Sequence, residues 1–164
     1  EGLMLKMSIA DNLSMAALGR LSSGPFIDRN RERDAIARMV EKLKIKIGAP
    51  TDAAGTLSGG NQQKVVIGKW LLTEPKVILL NDPTRGIDVG TKQELYRLLR
   101  ELADAGAAIV FYSTDYDELV GCCDRVLILY DGKVVRELEG DEINEHNIVA
   151  SSLNLGAQAE HARA

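Results

Sequence analysis

Leu57-Ser58-Gly59-Gly60-Asn61-Gln62-Gln63-Lys64 opens onto an apolar-periodic helix, Val65 to Leu72. After a stop at Pro75 comes Val77-Ile78-Leu79-Leu80-Asn81-Asp82-Pro83-Thr84. In the first stretch Ser58 is a good N-cap, and Gly59 and Gly60 let a backbone approach a ligand where a Cβ would clash. The open N–H groups of such a first turn, with the helix dipole, favour an anion such as phosphate. Taken alone, the turn fits an ordinary capped helix behind glycines better than it fits a ligand site. The second stretch shifts the balance. Its four apolar residues predict a strand buried on both faces, ending in two polar residues and a proline. In open α/β folds, ligands sit beyond the carboxyl ends of such strands.

Working outward, Ser8 to Leu18 predicts a helix with Ser8 as N-cap and Asp11 in its first turn. Gly19 to Phe26 reads as a loop, and Asp28 caps an amphipathic helix to about Leu43 with Ala35, Ile36, Met39, Val40 and Leu43 on its apolar face. Lys44 to Thr56 reads as irregular. Downstream follow a helix over Val89 to Asp104 ending at Gly106, a strand Ala107 to Tyr112, and a short helix near Tyr116 to Val120. A strand Arg125 to Tyr130 turns at Asp131-Gly132 into Lys133 to Leu138. A helix over Asn144 to Leu153 precedes an Ala-rich tail at 154–164, expected to be mobile. The alternation of strands and helices predicts a parallel α/β fold.

Composition narrows the class. The 164 residues are 45% hydrophobic with a net charge of −4, against a nucleic-acid binder driven by a positive field. No apolar run approaches the roughly 20 residues that span a bilayer. Cys122 and Cys123 are adjacent, without metal-ligand spacing, and read as two reduced thiols. The sequence opens at Glu1 rather than Met, in what reads as the middle of a domain, and is taken as a piece of a longer chain.

LSGGNQQK, the strand VILLND and the turn Arg85-Gly86-Ile87-Asp88 resemble the signature, Walker B strand and D-loop of ABC transporter nucleotide-binding domains. NQQK, PTRGIDVG and the opening EGLMLKMSIADNL look like the second, C-terminal ATPase domain of ribose-type sugar importer subunits. The resemblance runs from residue 1 to about Leu153. It implies a P-loop NTPase-like ABC ATPase fold, with a helical subdomain and signature helix over 1–76 and a parallel-sheet core over 77–153. It also implies ATP and Mg²⁺ as cofactors of the full-length protein, at the cytoplasmic face of the bacterial inner membrane. The implied partners are the second ATPase domain of the same chain, membrane permease subunits and, indirectly, a periplasmic sugar-binding protein.

The sequence contains no G-x-x-x-x-G-K-[ST] run, so no loop within it would cradle phosphates in cis and no nucleotide is expected on this piece alone. The family's phosphate-loop strand would lie between Ala107–Tyr112 and Arg125–Tyr130; without it the piece is expected to close the gap, self-associate or be marginally stable. Three matched positions depart from the family. Asn81 stands where the Walker B aspartate helps hold Mg²⁺, Asp82 where the catalytic glutamate acts as general base, and Thr114 where the switch histidine stands. Each alone fits a solvated strand-end residue; together they fit one degenerate ATP site. Ser58, Gly59, Gly60 and Asn61 keep the signature, which in ABC dimers closes on the partner's nucleotide, and Asp88 of the D-loop would align the opposite site.

Other residues have plainer readings: Lys64 and Lys69 as solvated, Trp70 as core, and Arg29, Arg31, Arg33 and Arg38 as an exposed face. Three functions stay open here: a sugar-importer ATPase half, a docking module that does not hydrolyse ATP, and an ABC-type ATPase outside transport. The NQQK and PTRGIDVG wording speaks against the last.

Overall fold

The computed structural model describes residues 2–153; the tail expected at 154–164 lies outside them. Element order is α1 (Ile9–Ser14), α2 (Leu18–Leu21), β1 (Ser22–Ser23), β2 (Phe26–Ile27), α3 (Arg29–Lys42), α4 (Gly59–Leu71), β3 (Val77–Asn81), α5 (Val89–Asp104), β4 (Ala108–Tyr112), α6 (Tyr116–Cys122), β5 (Arg125–Tyr130), β6 (Lys133–Glu139) and α7 (Glu145–Ser152). Contacts divide the chain into two compact units. One takes in the residues up to Ile78 with Pro83–Val110; the other takes in Leu79–Asp82 and the chain from Phe111 onward.

In the first unit, helices start where the caps predicted. Ser8 Oγ accepts from Asp11 N at 3.0 Å, and Asp28 accepts from the amides of Asn30 and Arg31. The helix expected over Ser8–Leu18 is interrupted: a 3₁₀ turn, Met15–Ala17, separates α1 from α2. The loop expected over Gly19–Phe26 is instead the end of α2 and a small antiparallel hairpin, with Ser23 paired to Phe26 around Gly24 at φ +62°. Gly24-Pro25 supplies turn geometry that lets two short runs pair. α1 packs on α3 and α4. Ile9, Leu13, Ala35, Ile36, Met39 and Val65 are buried there. Asn12, fully buried, bonds Met4 N and the carbonyls of Met4 and Ser8, tying the opening segment to α1.

β3 and β4 pair in parallel, with Ala108 N on Lys76 O at one end and Asp82 N on Tyr112 O at the other, each at 2.9 Å. β3 is not buried on both faces as its apolar run predicted, and β4 alternates in the same way. Ile78, Leu80, Ile109 and Phe111 are half-buried, whereas Val77, Leu79, Val110 and Tyr112 are exposed. Alternation, not a doubly covered run, describes this pair because among the described residues one face of each strand has no covering layer. In the second unit, β5 and β6 form the predicted hairpin, Tyr130 opposite Lys133, with Asp131 and Gly132 both at positive φ as a primed turn requires. Val126, Ile128, Leu138 and Ile148 are its core. Among the described residues, β5 pairs with β6 and β4 with β3. No helix of the described residues is long and apolar enough to cross a membrane.

Candidate functional site

α4 begins at Gly59, six residues earlier than the apolar periodicity alone suggested, so the glycines form its first turn. Ser58 has N-cap dihedrals, φ −62° and ψ 156°, but its side chain makes no capping bond. Instead, Ser58 Oγ accepts from Asn61 Nδ2 at 2.9 Å, while Asn61 Oδ1 accepts from the Lys46 amide at 2.9 Å. The capping expected of the Ser58 hydroxyl is thus corrected: a neighbouring amide has captured it, leaving the first-turn N–H groups without that partner. Gln62 closes the turn from behind, donating Nε2 to Leu57 O at 2.9 Å.

The two glycines of the turn differ. A Cβ on Gly59 would meet nothing within 4 Å, whereas on Gly60 it would lie 3.1 Å from Thr91 Oγ1 and 3.2 Å from Thr91 Cγ2. Gly60 is small because α5 comes close; Gly59 has no such packing reason. Thr91 belongs to the cap of α5, where Asp88 accepts from Thr91 N at 3.0 Å and Thr91 Oγ1 at 2.8 Å. These bonds, the Thr91 amide foremost, hold the Asp88 carboxyl below its ordinary pKa. The turn expected as the signature and Asp88, expected in the D-loop, are therefore neighbours through Thr91, which sequence reasoning missed although Asp88-x-x-Thr91 has N-cap spacing.

Lower on the same helix pair, Lys64 Nζ meets Glu94 Oε2 and, at 3.3 Å, the Lys44 carbonyl. The hydrogen bond from Lys64 holds Glu94 below its usual pKa. Lys64 is thus not the solvated side chain expected; 15% of it is exposed. The groove between α4 and α5, with Ile67, Leu95 and Leu98 among its lining, encloses about 90 Å³, against roughly 300 Å³ or more in ordinary small-molecule sites.

Lys69 and Trp70 exchange the places expected of them. Lys69 is 6% exposed, with Nζ on the Gly2 carbonyl, while Trp70 is 56% exposed. Lys69 lies four residues after Val65, on the helix's buried stripe, and Trp70 falls off it. Its ammonium reaches out of the apolar layer to a carbonyl, and also sits 5.7 Å from the Trp70 ring centre. The arginine face of α3 is exposed as predicted.

In the second unit, the ends of β3 and β4 bring Asp82 and Thr114 together: Asp82 Oδ1 accepts from Thr114 N at 3.0 Å and lies 3.5 Å from Thr114 Oγ1. Asp82 is left-handed, φ +43°, a conformation aspartate tolerates better than most side chains. The loop carrying Thr114 is pinned from beneath by the buried Ser113 hydroxyl, which donates to Glu118 Oε2 at 2.7 Å and accepts from Asp115 N at 3.0 Å. Asn81 is exposed on the other face of β3. Among the described residues, no three His, Cys, Asp or Glu side chains gather into a metal-holding group. Asn81 and Asp82 offer one carboxylate, already engaged by Thr114. One carboxylate and one amide oxygen would not hold Mg²⁺ on their own, without the phosphate and water oxygens that complete its shell.

Comparisons with known proteins bear on the family and the fold. Among curated proteins, the ribose import ATP-binding protein RbsA 1 of Rhizobium etli is 62% identical over 163 residues, covering 99% of this chain and 31% of that protein. Its namesake in Mesorhizobium japonicum is 66% identical over 155 residues, covering 94% of this chain and 30% of that protein. The chain therefore spans under a third of the length of these relatives. Among solved structures, the dimeric post-hydrolysis state of the ATP-binding cassette MJ0796 bound to ADP and Pi superposes with a TM-score of 0.70 at 23% identity. That alignment covers 84% of this chain and 58% of that one. The ATP-binding cassette MJ1267 gives 0.74 at 24%, covering 92% and 63%. At these identities the structural likeness establishes the fold: a P-loop NTPase-type ABC cassette. The ABC transporter family pattern matches residues 1–85, more than half of the 164, and the chain belongs to the ABC transporter family.

Proposed function

We propose that this chain supplies the signature turn and D-loop of an ATP-binding cassette to a nucleotide held by a second cassette, within the ATPase subunit of a sugar importer. The observation that carries the reading is the start of α4. Ser58 stands at the N-cap without capping, Gly59 opens onto empty space, and the first-turn amides precede a 13-residue helix. Such a turn presents N–H groups and a helix dipole to a phosphate. The sequence contains no phosphate loop to bring that phosphate in cis. The relatives' printed role, ribose import ATP-binding, supports sugar uptake as the process served.

On this reading ATP and Mg²⁺ belong to the whole protein, working at the cytoplasmic face of the inner membrane. Residues 1–76, the helical part, face permease subunits fed by a periplasmic binding protein, and 77–153 form the core. The chain's own catalytic positions are degenerate on this reading: Asn81 brings no charge to a cation, and Asp82 is one methylene shorter than glutamate, with one carboxylate oxygen accepting from Thr114. In the whole protein, Ser58→Arg should abolish most ATP turnover, since an exposed, bulky cation would fill the turn. Asp82→Ala should leave most of it. The reverse ranking would refute the assignment.

A further inference from the structure

We infer that Asn61 is a positioning residue that orients the Ser58 hydroxyl hydrogen outward, making Ser58 a donor toward an acceptor-only anion such as the terminal phosphate of a nucleoside triphosphate. This rests on the trans-signature reading above and deepens it. The orientation of the Asn61 amide is fixed by chemistry. A backbone N–H can only donate, so the atom 2.9 Å from Lys46 N must be the oxygen, and the NH₂ group faces Ser58 Oγ at 2.9 Å. Ser58 Oγ therefore accepts from inside the turn, and its own hydrogen is left for a partner outside. A terminal phosphate has acceptors and no donors at neutral pH, matching a hydroxyl so polarised.

The holder is itself held. The loop after α3 is fastened to α4 at two points, Lys46 N on Asn61 and Lys44 O under Lys64 Nζ. Ser58 is exposed, so no packing layer fixes its rotamer, and the Asn61 bond is what sets it. Asn61 acts through Ser58.

The test is a double-mutant cycle on ATP turnover of the whole protein, with thermal melts of every variant. Asn61→Ala removes the donor to Ser58. It is expected to lower turnover roughly tenfold, the value of one hydrogen bond of about 1.4 kcal/mol. In a Ser58→Ala background, the same change is expected to cost less than about twofold, because the group it orients is gone. Asn61→Asp keeps the size and the Lys46 bond but draws the Ser58 hydrogen inward, and should lower turnover more than Asn61→Ala. A role confined to holding the loop would give equal losses in both backgrounds, and that result overturns the inference. So does wild-type turnover in Asn61→Asp. If Ser58→Ala alone changes nothing, the trans-signature reading fails and takes this inference with it. If Ser58→Ala matters and Asn61 does not, only the inference fails.

Discussion

Three glycines on α4 should respond differently to the same substitution by alanine. In a helix, alanine is favoured over glycine by about 1 kcal/mol, less in the first turn. At Gly59 the new methyl meets nothing within 4 Å and φ is not positive, so the variant should gain about 0.5 kcal/mol and melt roughly 1–2 °C higher. At Gly60 the methyl would sit 3.1–3.2 Å from Thr91, whose rotamer is pinned by its 2.8 Å bond to Asp88. Thr91 must yield a few tenths of an ångström, and the net change should lie between zero and a loss of about 1 kcal/mol. At Gly68 the methyl would be 2.8 Å from Leu13 Cδ2 and 3.0 Å from both Leu43 Cδ1 and Met39 Cγ, beneath a Leu13 that is 0% exposed. Overpacking of about 1–3 kcal/mol outweighs the helical gain there. Thermal denaturation of the chain, followed by circular dichroism, should rank Gly59→Ala above Gly60→Ala above Gly68→Ala. In the whole protein, the stabilised Gly59→Ala variant should nevertheless lose ATP turnover by about tenfold or more, since its methyl enters the space a phosphate would approach. A Gly59→Ala variant that melts as low as Gly68→Ala would refute the packing argument. One that hydrolyses normally would refute the site.

Because Thr91 lowers the Asp88 pKa, the cap's contribution is present above the ordinary carboxyl value of 3.8 and lost as pH falls through the lower folded value. Melts of Asp88→Asn and wild type should thus differ by a constant amount between about pH 5 and 8 and converge in acid; a gap that persists in acid would exclude the carboxylate as its source. Trp70→Ala should cost less than about 1 kcal/mol in urea denaturation, against about 3–5 for a buried aromatic, since the ring is 56% exposed. A Lys64→Met, Glu94→Gln cycle should give a coupling of up to about 1 kcal/mol that shrinks with added salt, because 38% of the Glu94 side chain meets solvent. A salt-independent coupling would mean the pair is shielded more deeply than this exposure allows.

Much of the fold was legible because local signals carried it. The cap of Asp28 on α3, the Val89 start of α5 and the Asp131-Gly132 hairpin are backbone chemistry that neighbouring residues decide. Where residue type was weighed above spacing, the reading failed. Lys69 falls on the stripe shared with Val65 and Trp70 off it, and periodicity proved the better guide. The β3 strand shows a different limit, since an apolar run states what a strand can bury and not what lies over it. At the candidate site, the motif located Ser58, Gly59 and Gly60, but their unequal roles depend on Thr91, thirty-one residues after Gly60, and on the Lys46 amide. Contacts of that range leave no periodic trace in a single chain.

The left-handed turn at Asp82 bears on which acid the strand end can carry. At φ +43° aspartate is among the few side chains accepted without much strain, partly because its short carboxylate can reach nearby backbone, as it reaches Thr114 N. A glutamate at this position would be one methylene too long to keep the Thr114 bond unchanged. Lengthening this acid by one carbon therefore asks the strand end and the Thr114 loop to move as well.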